Sequence, residues 1–407
     1  MKPSLLSLEP AALTEWLRSH GVPGYRAAQI RRWMIRDAVT SFDAMTDLPI
    51  SLRELLDTTF TLRTTRVLKT LGSAEPMENG DRTGGTGTQK LLLGLHDGEQ
   101  IECVLLRDDR DHRTACVSSQ VGCAMRCAFC ATGIDGVVRN LSETEITEQL
   151  LRLAELLPGN GGRSEGAGGG TNGNGTHGHG ERNEEKCEGG VCRYGGRGTV
   201  RPESFRRERL THIVVMGMGE PLMNPDAVYA SLERATESDG LNIGARHITI
   251  STVGIPSEIR RLADRGCRFH LAISLHAPDD ALRDQLIPSN RRTGIDAILS
   301  AAWYFFGKTG RRVTFEYVLL GGVNDTSEHA LRLAKLLRGR PALVNLIPYN
   351  PVPELPFRTP KSMNVHRFVE TLESRGIEVS IRYRKGDDIS AACGQLRRRP
   401  FSRRNSP

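Results

Sequence analysis

The sequence predicts an α/β fold, a partial (β/α)6-type barrel with a small N-terminal helical domain. Three observations predict it. Before about residue 70, apolar side chains recur at helical spacings of three and four. From residue 115 onward, strand-like runs alternate with amphipathic helical segments, the pattern of a parallel sheet with right-handed crossovers. The alternation gives about six βα units, fewer than the eight of a closed barrel. A doubly wound open sheet is the other architecture it allows, and in either one the chemistry belongs at the C-terminal strand ends.

Taken in order, helices are expected over 11–17, 25–35 and 52–56, with Gly21, Pro23 and Gly24 separating the first two. Arg26, Arg31, Arg32 and Arg36 make this module basic and open to RNA contact. Strands follow at 90–95 and 100–106, joined by the hairpin signal Asp97-Gly98, and then at 115–119. Further strands are expected at 212–216, 247–251, 268–274, 313–319, 343–347 and 378–382. The helical segments between them are 143–156, 226–235, 257–264, 295–306, 327–337 and 365–374. The expected organisation is an accessory helical domain plus linker over 1–85, a strand hairpin over 86–114, the barrel over 115–396 and a basic tail over 397–407.

One stretch breaks the pattern. Between residues 159 and 198, 16 of 40 residues are glycine. Such a segment buries too little apolar surface to offset its ordering entropy, so about 158–205 is expected to be a disordered insertion. It contains His177, His179, Cys187 and Cys192, but the loose Cys-x4-Cys spacing and the glycine content argue against a zinc site.

Composition narrows the function. The 407 residues are 38% hydrophobic and 25% charged, which excludes wholesale disorder and a fibrous repeat. No run of about 18 uncharged apolar residues occurs, which excludes a transmembrane helix, and the first nine residues lack a secretory pattern. Nine cysteines, an odd number, disfavour an extracellular disulfide scaffold and point to a reducing compartment, so a cytoplasmic, membrane-free location is expected. The net charge is +7, and residues 382–404 alone hold eight basic and two acidic side chains. That concentration suggests an acidic partner such as nucleic acid.

The sharpest signal is Cys123-Ala-Met-Arg-Cys127-Ala-Phe-Cys130. Three thiols at x3 and x2 spacing can wrap one face of a compact metal cluster. A closed structural zinc or iron–sulfur site takes four ligands, and no fourth lies nearby in the sequence. A three-cysteine cubane would leave one iron open to a substrate or cofactor; zinc with a remote fourth cysteine is the other reading. Further on, His212-Ile-Val-Val-Met-Gly217-Met-Gly219-Glu220-Pro221 is an apolar strand ending in glycines and a carboxylate. Glycines there allow close approach to the backbone, and Glu220 could hold an ammonium. Ser251, Ser274, Leu275, His276 and Asn350 fall at the ends of later strands. Cys393 stands alone beside Gly394 in a basic segment, where thiolate character is favoured, and Cys116 precedes the cluster by seven residues.

Cys-x3-Cys-x2-Cys after a first strand resembles the radical S-adenosylmethionine (SAM) superfamily. In detail, 116–130, 217–224, 274–278 and 386–396 resemble the ribosomal RNA adenine-C2 methyltransferases, described as dual-specificity enzymes of 23S rRNA and of some tRNAs. That resemblance implies one [4Fe–4S] cluster on Cys123, Cys127 and Cys130, and SAM bound by Gly219, Glu220, Ser251, Ser274, Leu275, His276 and Asn350. It makes Cys393 the methyl acceptor, Cys116 the thiol that resolves a covalent protein–RNA intermediate as a disulfide, and Glu102 a family proton acceptor, so that Glu102 and Cys116 compete for the role of base. It further implies 23S rRNA and tRNA as partners, an external electron donor, a disulfide reductant and a monomer. A C8-specific adenine methyltransferase shares these cysteines, a zinc-stabilised RNA-binding protein without catalysis is a different class of reading, and a radical SAM activase or synthase acting on protein or a small molecule is a third.

Overall fold

The computed structural model describes residues 2–72, 87–108, 110–157, 208–382 and 393–397. The glycine-rich insertion, with His177, His179, Cys187 and Cys192, lies outside the described residues, as does nearly all of the basic tail.

Helices α1 (Pro10–Ser19), α2 (Arg26–Ile35) and α3 (Ile50–Thr59) open the chain. Proline in the first turn of α1 costs no hydrogen bond, since that N–H has no helical acceptor. An antiparallel meander follows: β1 (Arg66–Gly72), β2 (Gln89–Gly94), β3 (Gln100–Arg107) and β4 (Arg113–Cys116). The chain then leaves the sheet for a hairpin, β5 (Gln120–Gly122) and β6 (Val137–Asn140). From there strand and helix alternate: α4 (Glu143–Ala154), β7 (His212–Val215), α5 (Pro225–Thr236), β8 (Ile248–Thr252), α6 (Pro256–Asp264), β9 (His270–Ser274), α7 (Asp280–Leu286), α8 (Ile295–Thr309), β10 (Val313–Leu319), α9 (Ser327–Leu337), β11 (Ala342–Pro348), α10 (Ser362–Glu373) and β12 (Glu378–Ile381).

The ten-stranded sheet runs β1-β2-β3-β4-β7-β8-β9-β10-β11-β12. From β4 to β12 every pairing is parallel, and the spatial order never reverses. A doubly wound sheet needs a reversal at its switch point, so the architecture is the partial barrel. Local chemistry agrees with the elements. A reciprocal capping box, Ser142 with Glu145, starts α4; Thr326 caps α9; Gly310, at φ +66°, ends α8 in a left-handed turn.

Three elements escape the sequence reading. Most residues of β1 are exposed, so its pattern lacks alternation. The β5–β6 hairpin depends on Gly122, at φ +76°, where a Cβ would stand 2.0 Å from the Gly136 carbonyl oxygen. The short helix α7 rests on its cap, Asp279 accepting from the Leu282 N–H at 2.9 Å.

The helical module shares one continuous apolar core with the barrel, from Leu5, Leu17 and Leu56 through Ile213, Ile250 and Val344. Ion pairs fasten the two. Arg31 is buried between Glu237 (2.5 Å) and Asp239 (2.9 Å), and Arg234 donates to the Leu6 carbonyl at 2.8 Å. Arg31, expected to be free for RNA, is thus committed to holding the module in place.

Candidate active site

One cavity opens at the C-terminal ends of the parallel strands. Cys123, Cys127, Cys130, Gly219, Glu220, Ser251, Ser274, His276, Asn350 and Cys393 all line it. The sequence scatters these residues over 271 positions, and the topology brings them together because each parallel strand ends on the same edge.

The cysteine loop is held from three sides. The Cys123 N–H donates to the Gly136 carbonyl at 2.9 Å, the Ala128 N–H to the Leu286 carbonyl at 2.8 Å and the Ala131 N–H to the Gly394 carbonyl at 2.8 Å. Thr132 adds a 2.6 Å hydrogen bond from its hydroxyl to the Leu396 carbonyl. The last two contacts dock residues 393–397 on the loop itself. Burial pushes the Cys123 thiol up to about 12, and it raises Cys127 and Cys130 too, with the neighbouring sulfurs adding to the rise at Cys127. Buried thiols of this kind ionise only with cationic compensation, as metal ligation provides. Among the described residues, no three His, Cys, Asp or Glu side chains converge on a point as the ligands of a single ion would.

The polar edge of the cavity is set by backbone contacts. Glu220 is 3% exposed; its Oε1 accepts from the Leu222 N–H at 3.0 Å and its Oε2 from the Val253 N–H at 2.7 Å. Burial raises its pKa and these N–H groups partly restrain the rise. His276 adopts φ +59°, which turns its ring so that Nδ1 accepts from the Val318 N–H at 3.0 Å. Burial, then Arg283, holds its pKa down at about 3, so the ring is neutral with its proton on Nε2. The Asn350 Oδ1 and the Tyr349 hydroxyl are buried without a hydrogen-bond partner. Orphaned buried acceptors carry a desolvation cost of about 1–3 kcal/mol and call for a ligand. Together with the three thiols, these groups fit an anionic metal cluster and a zwitterionic cofactor.

Gly217 and Gly219 line the cavity and also serve a second, packing purpose. A Cβ on either would lie 2.7 Å from residues 117–120: from Ser118 Oγ at Gly217, and from Ser119 Oγ and the Gln120 Cβ at Gly219. They let two backbone segments pack, which brings Glu220 to the cavity. Leu275 is fully buried in the main core, its N–H donating to the Glu316 carbonyl at 3.0 Å. It does not line the cavity.

Cys116 is buried beside Cys393: burial first, then the Cys393 sulfur, pushes its thiol up to about 12, with Arg382 opposing. Cys393 is exposed. Sequence reasoning missed Arg382. Burial would lower its pKa, but Cys393, Glu316 and Cys116 around it outweigh that and raise it. Glu316 lines the cavity and accepts from the Asn345 amide at 2.7 Å. The structure does not bring Glu102 to the cavity. Its Oε1 pairs with Lys90 Nζ at 3.2 Å, both groups buried, and its Oε2 accepts from the Arg397 N–H at 3.0 Å. Arg283 was also missed; its signal is a charged residue three positions before Leu286, on the buried face of α7.

This arrangement defines a class. Residues 203–334 match the radical SAM superfamily, and a crystal structure of a radical SAM methyltransferase from Sphaerobacter thermophilus superposes with a TM-score of 0.79, at 40% identity over 97% of this chain and 99% of that one. Residues 4–62 match the ribosomal RNA large subunit methyltransferase N-terminal domain. The probable dual-specificity RNA methyltransferase RlmN of Rhodopirellula baltica is 46% identical over 397 residues, 98% of this chain and 91% of its own length. Its counterpart from Bacillus subtilis is 40% identical over 97% of this chain and 93% of its own. The chain belongs to the RlmN family of radical SAM methyltransferases.

Proposed function

We propose that this protein methylates C2 of an adenine in 23S rRNA and of an adenine in the anticodon loop of tRNA, through a methylated Cys393. The observation that carries the reading is the docking of the Cys393 segment, by the Ala131–Gly394 and Thr132–Leu396 hydrogen bonds, on the loop that bears Cys123, Cys127 and Cys130. When bound, a [4Fe–4S] cluster and SAM would supply a methyl cation equivalent and a radical able to remove hydrogen from a methyl group.

The chain's own residues do the rest. Cys123, Cys127 and Cys130 hold the cluster. Glu220 takes the SAM ammonium, which relieves its buried charge; Asn350 gains the partner its Oδ1 lacks; Ser251, Ser274 and neutral His276 complete the polar edge, with Gly219 on the lining and Leu275 shaping the site from behind. Adenine C2 is electron-poor and does not attack a sulfonium, so a carbon radical must add to it. The Cys393 thiolate accepts a methyl group; after loss of one hydrogen, its S-methylene carbon bonds to C2. The adduct radical gives its C2 proton to a base and one electron to an external one-electron acceptor, which restores the aromatic ring. Cys116, once it has passed its proton to solvent, attacks the Cys393 sulfur as thiolate: the S–C bond breaks, a Cys116–Cys393 disulfide forms, and the released methylene carbon takes a proton from solvent, so the RNA leaves methylated. The mutual electrostatic influence of Cys116 and Cys393 supports this role. Cys116 is also the base that takes the C2 proton, whereas Glu102 takes it only after residues 393–397 release its Oε2. An external one-electron donor and a dithiol reductant complete the cycle, in a monomeric cytoplasmic protein. Among the described residues, no helix is long and apolar enough to cross a membrane.

The test is anaerobic reconstitution followed by iron and sulfide analysis, mass spectrometry of Cys393, and mapping of the methylated adenine. Four irons and four sulfides per chain, an added methyl on Cys393 and 2-methyladenine support the reading. Methyl at C8 would reassign the regiochemistry, and a colourless protein holding one zinc would overturn it.

A further inference from the structure

Arg283 is 1% exposed, and the reaction above assigns it nothing. Its Nε donates to the Leu275 carbonyl at 3.0 Å; Nη2 donates to the carbonyls of Ser274 (3.0 Å) and Val253 (2.6 Å); Nη1 donates to Asn290 Oδ1 at 2.5 Å. Asn290 is fixed in turn, its amide donating to Asp280 and Asp284 at 2.8 and 2.6 Å, so its oxygen faces the guanidinium. Val253 follows β8, and Ser274 and Leu275 end β9. These are the two strands that present Ser251, Ser274 and His276 to the cavity. A planar fork of five donors can span three carbonyls on two strands; an ammonium cannot.

All four acceptors are neutral, and a buried charge is costly unless an anion lies near. Asp280 and Asp284, behind Asn290, supply part of that compensation, and the cysteine loop supplies the rest on the cavity side. The same helix holds it, through Leu286 and Ala128, and the Arg283 charge acts on the Cys127 sulfur. Burial brings the Arg283 pKa down to about 10, which leaves it charged at neutral pH.

We propose that Arg283 is a positioning residue with two separable actions: its donor fork sets the β8 and β9 ends around SAM, and its charge balances the anionic cluster at Cys127. This rests on reading the three cysteines as cluster ligands. The test uses anaerobically reconstituted full chain, wild type, Arg283→Met and Arg283→Lys, and measures iron and sulfide content, cluster midpoint potential and the SAM dissociation constant. For Arg283→Met, SAM binding weakens about 10- to 100-fold, as for outer partners of other metal sites, and the potential moves to more negative values. Arg283→Lys recovers the potential and not the SAM affinity. A Met variant with wild-type potential and SAM affinity overturns the proposal, as does a Lys variant that recovers both properties or neither. Should the Met variant fail to fold, the Lys variant decides alone: undiminished SAM affinity refutes the fork, and a displaced potential refutes the charge. A wild-type chain that takes up no iron refutes the cluster reading instead, which keeps the two failures apart.

Discussion

At the N-terminal edge of the parallel sheet, histidines stand at the starts of four neighbouring strands: His112 before β4, His212 on β7, His247 before β8 and His270 on β9. They form a ladder. His112 Nδ1 meets Asp108 at 2.8 Å, His247 Nδ1 meets His212 Nε2 at 3.0 Å, and the His112 and His212 rings lie 4.4 Å apart, edge to face. At the opposite edge stand the cysteines, Glu220, His276 and Asn350. Both edges are rich in titratable groups. They differ in what is left wanting: the ladder is half-exposed and its rings partner one another, whereas the mouth holds buried acceptors without donors and a buried arginine hydrogen-bonded only to neutral oxygens. Density of reactive side chains therefore does not mark a site; unmet electrostatic demand inside an enclosure does.

Several substitutions can break or sharpen that contrast. Cys393→Ala at the mouth should abolish RNA methylation, read by mass spectrometry of the product, and any retained turnover would remove the methyl carrier from the scheme. Cys116→Ala should stop the reaction one step later and trap a covalent protein–RNA adduct, seen as a mass increase that survives denaturation; free product in normal yield would deny Cys116 its role. Glu102→Ala removes the buried carboxylate that pairs with Lys90 and accepts from the Arg397 N–H, a change that should cost about 1–3 kcal/mol of stability in denaturant unfolding and loosen residues 393–397. The pH response of His276 is a smaller effect. Its folded pKa, about 3, lies below the ordinary 6.5, so as pH falls the unfolded chain binds a proton that the folded one refuses. Its contribution is complete above 6.5 and is lost on acidification, at up to about 1.4 kcal/mol per pH unit. His276→Asn should flatten that slope between about pH 6.5 and 5, relative to wild type. Smallest of all, His212→Gln in the ladder should leave methylation unchanged and stability within about 0.5 kcal/mol; a large loss of activity there would mean the ladder communicates with the mouth.

The sequence shows the repeating core clearly because β7 to β12 are short apolar runs between amphipathic helices: the segments expected at 313–319 and 327–337 coincide with β10 and α9. Elements fixed by a single backbone requirement were invisible, as with the hairpin that hangs on Gly122. The convergence of residues on one cavity was legible where residue type singles them out, as for Cys123, Cys127 and Cys130, all of which line it. Residues were illegible where the role depends on burial. Arg283 and Arg382 look like surface arginines until the fold encloses them, and Glu102 could not be seen to face Lys90 and Arg397 rather than the cavity. The two glycines before Glu220, expected to give room for a ligand, line the cavity and also give room for the protein's own backbone at residues 117–120.

The shelf on which residues 394 and 396 rest is the cysteine loop itself, through the amide of Ala131 and the hydroxyl of Thr132. The two cysteine-bearing segments are thereby hung from one bracket. Transplanting the three-cysteine loop into another barrel would leave the residue-393 segment behind, and any damage that unravels the loop in this protein would release that segment in the same event.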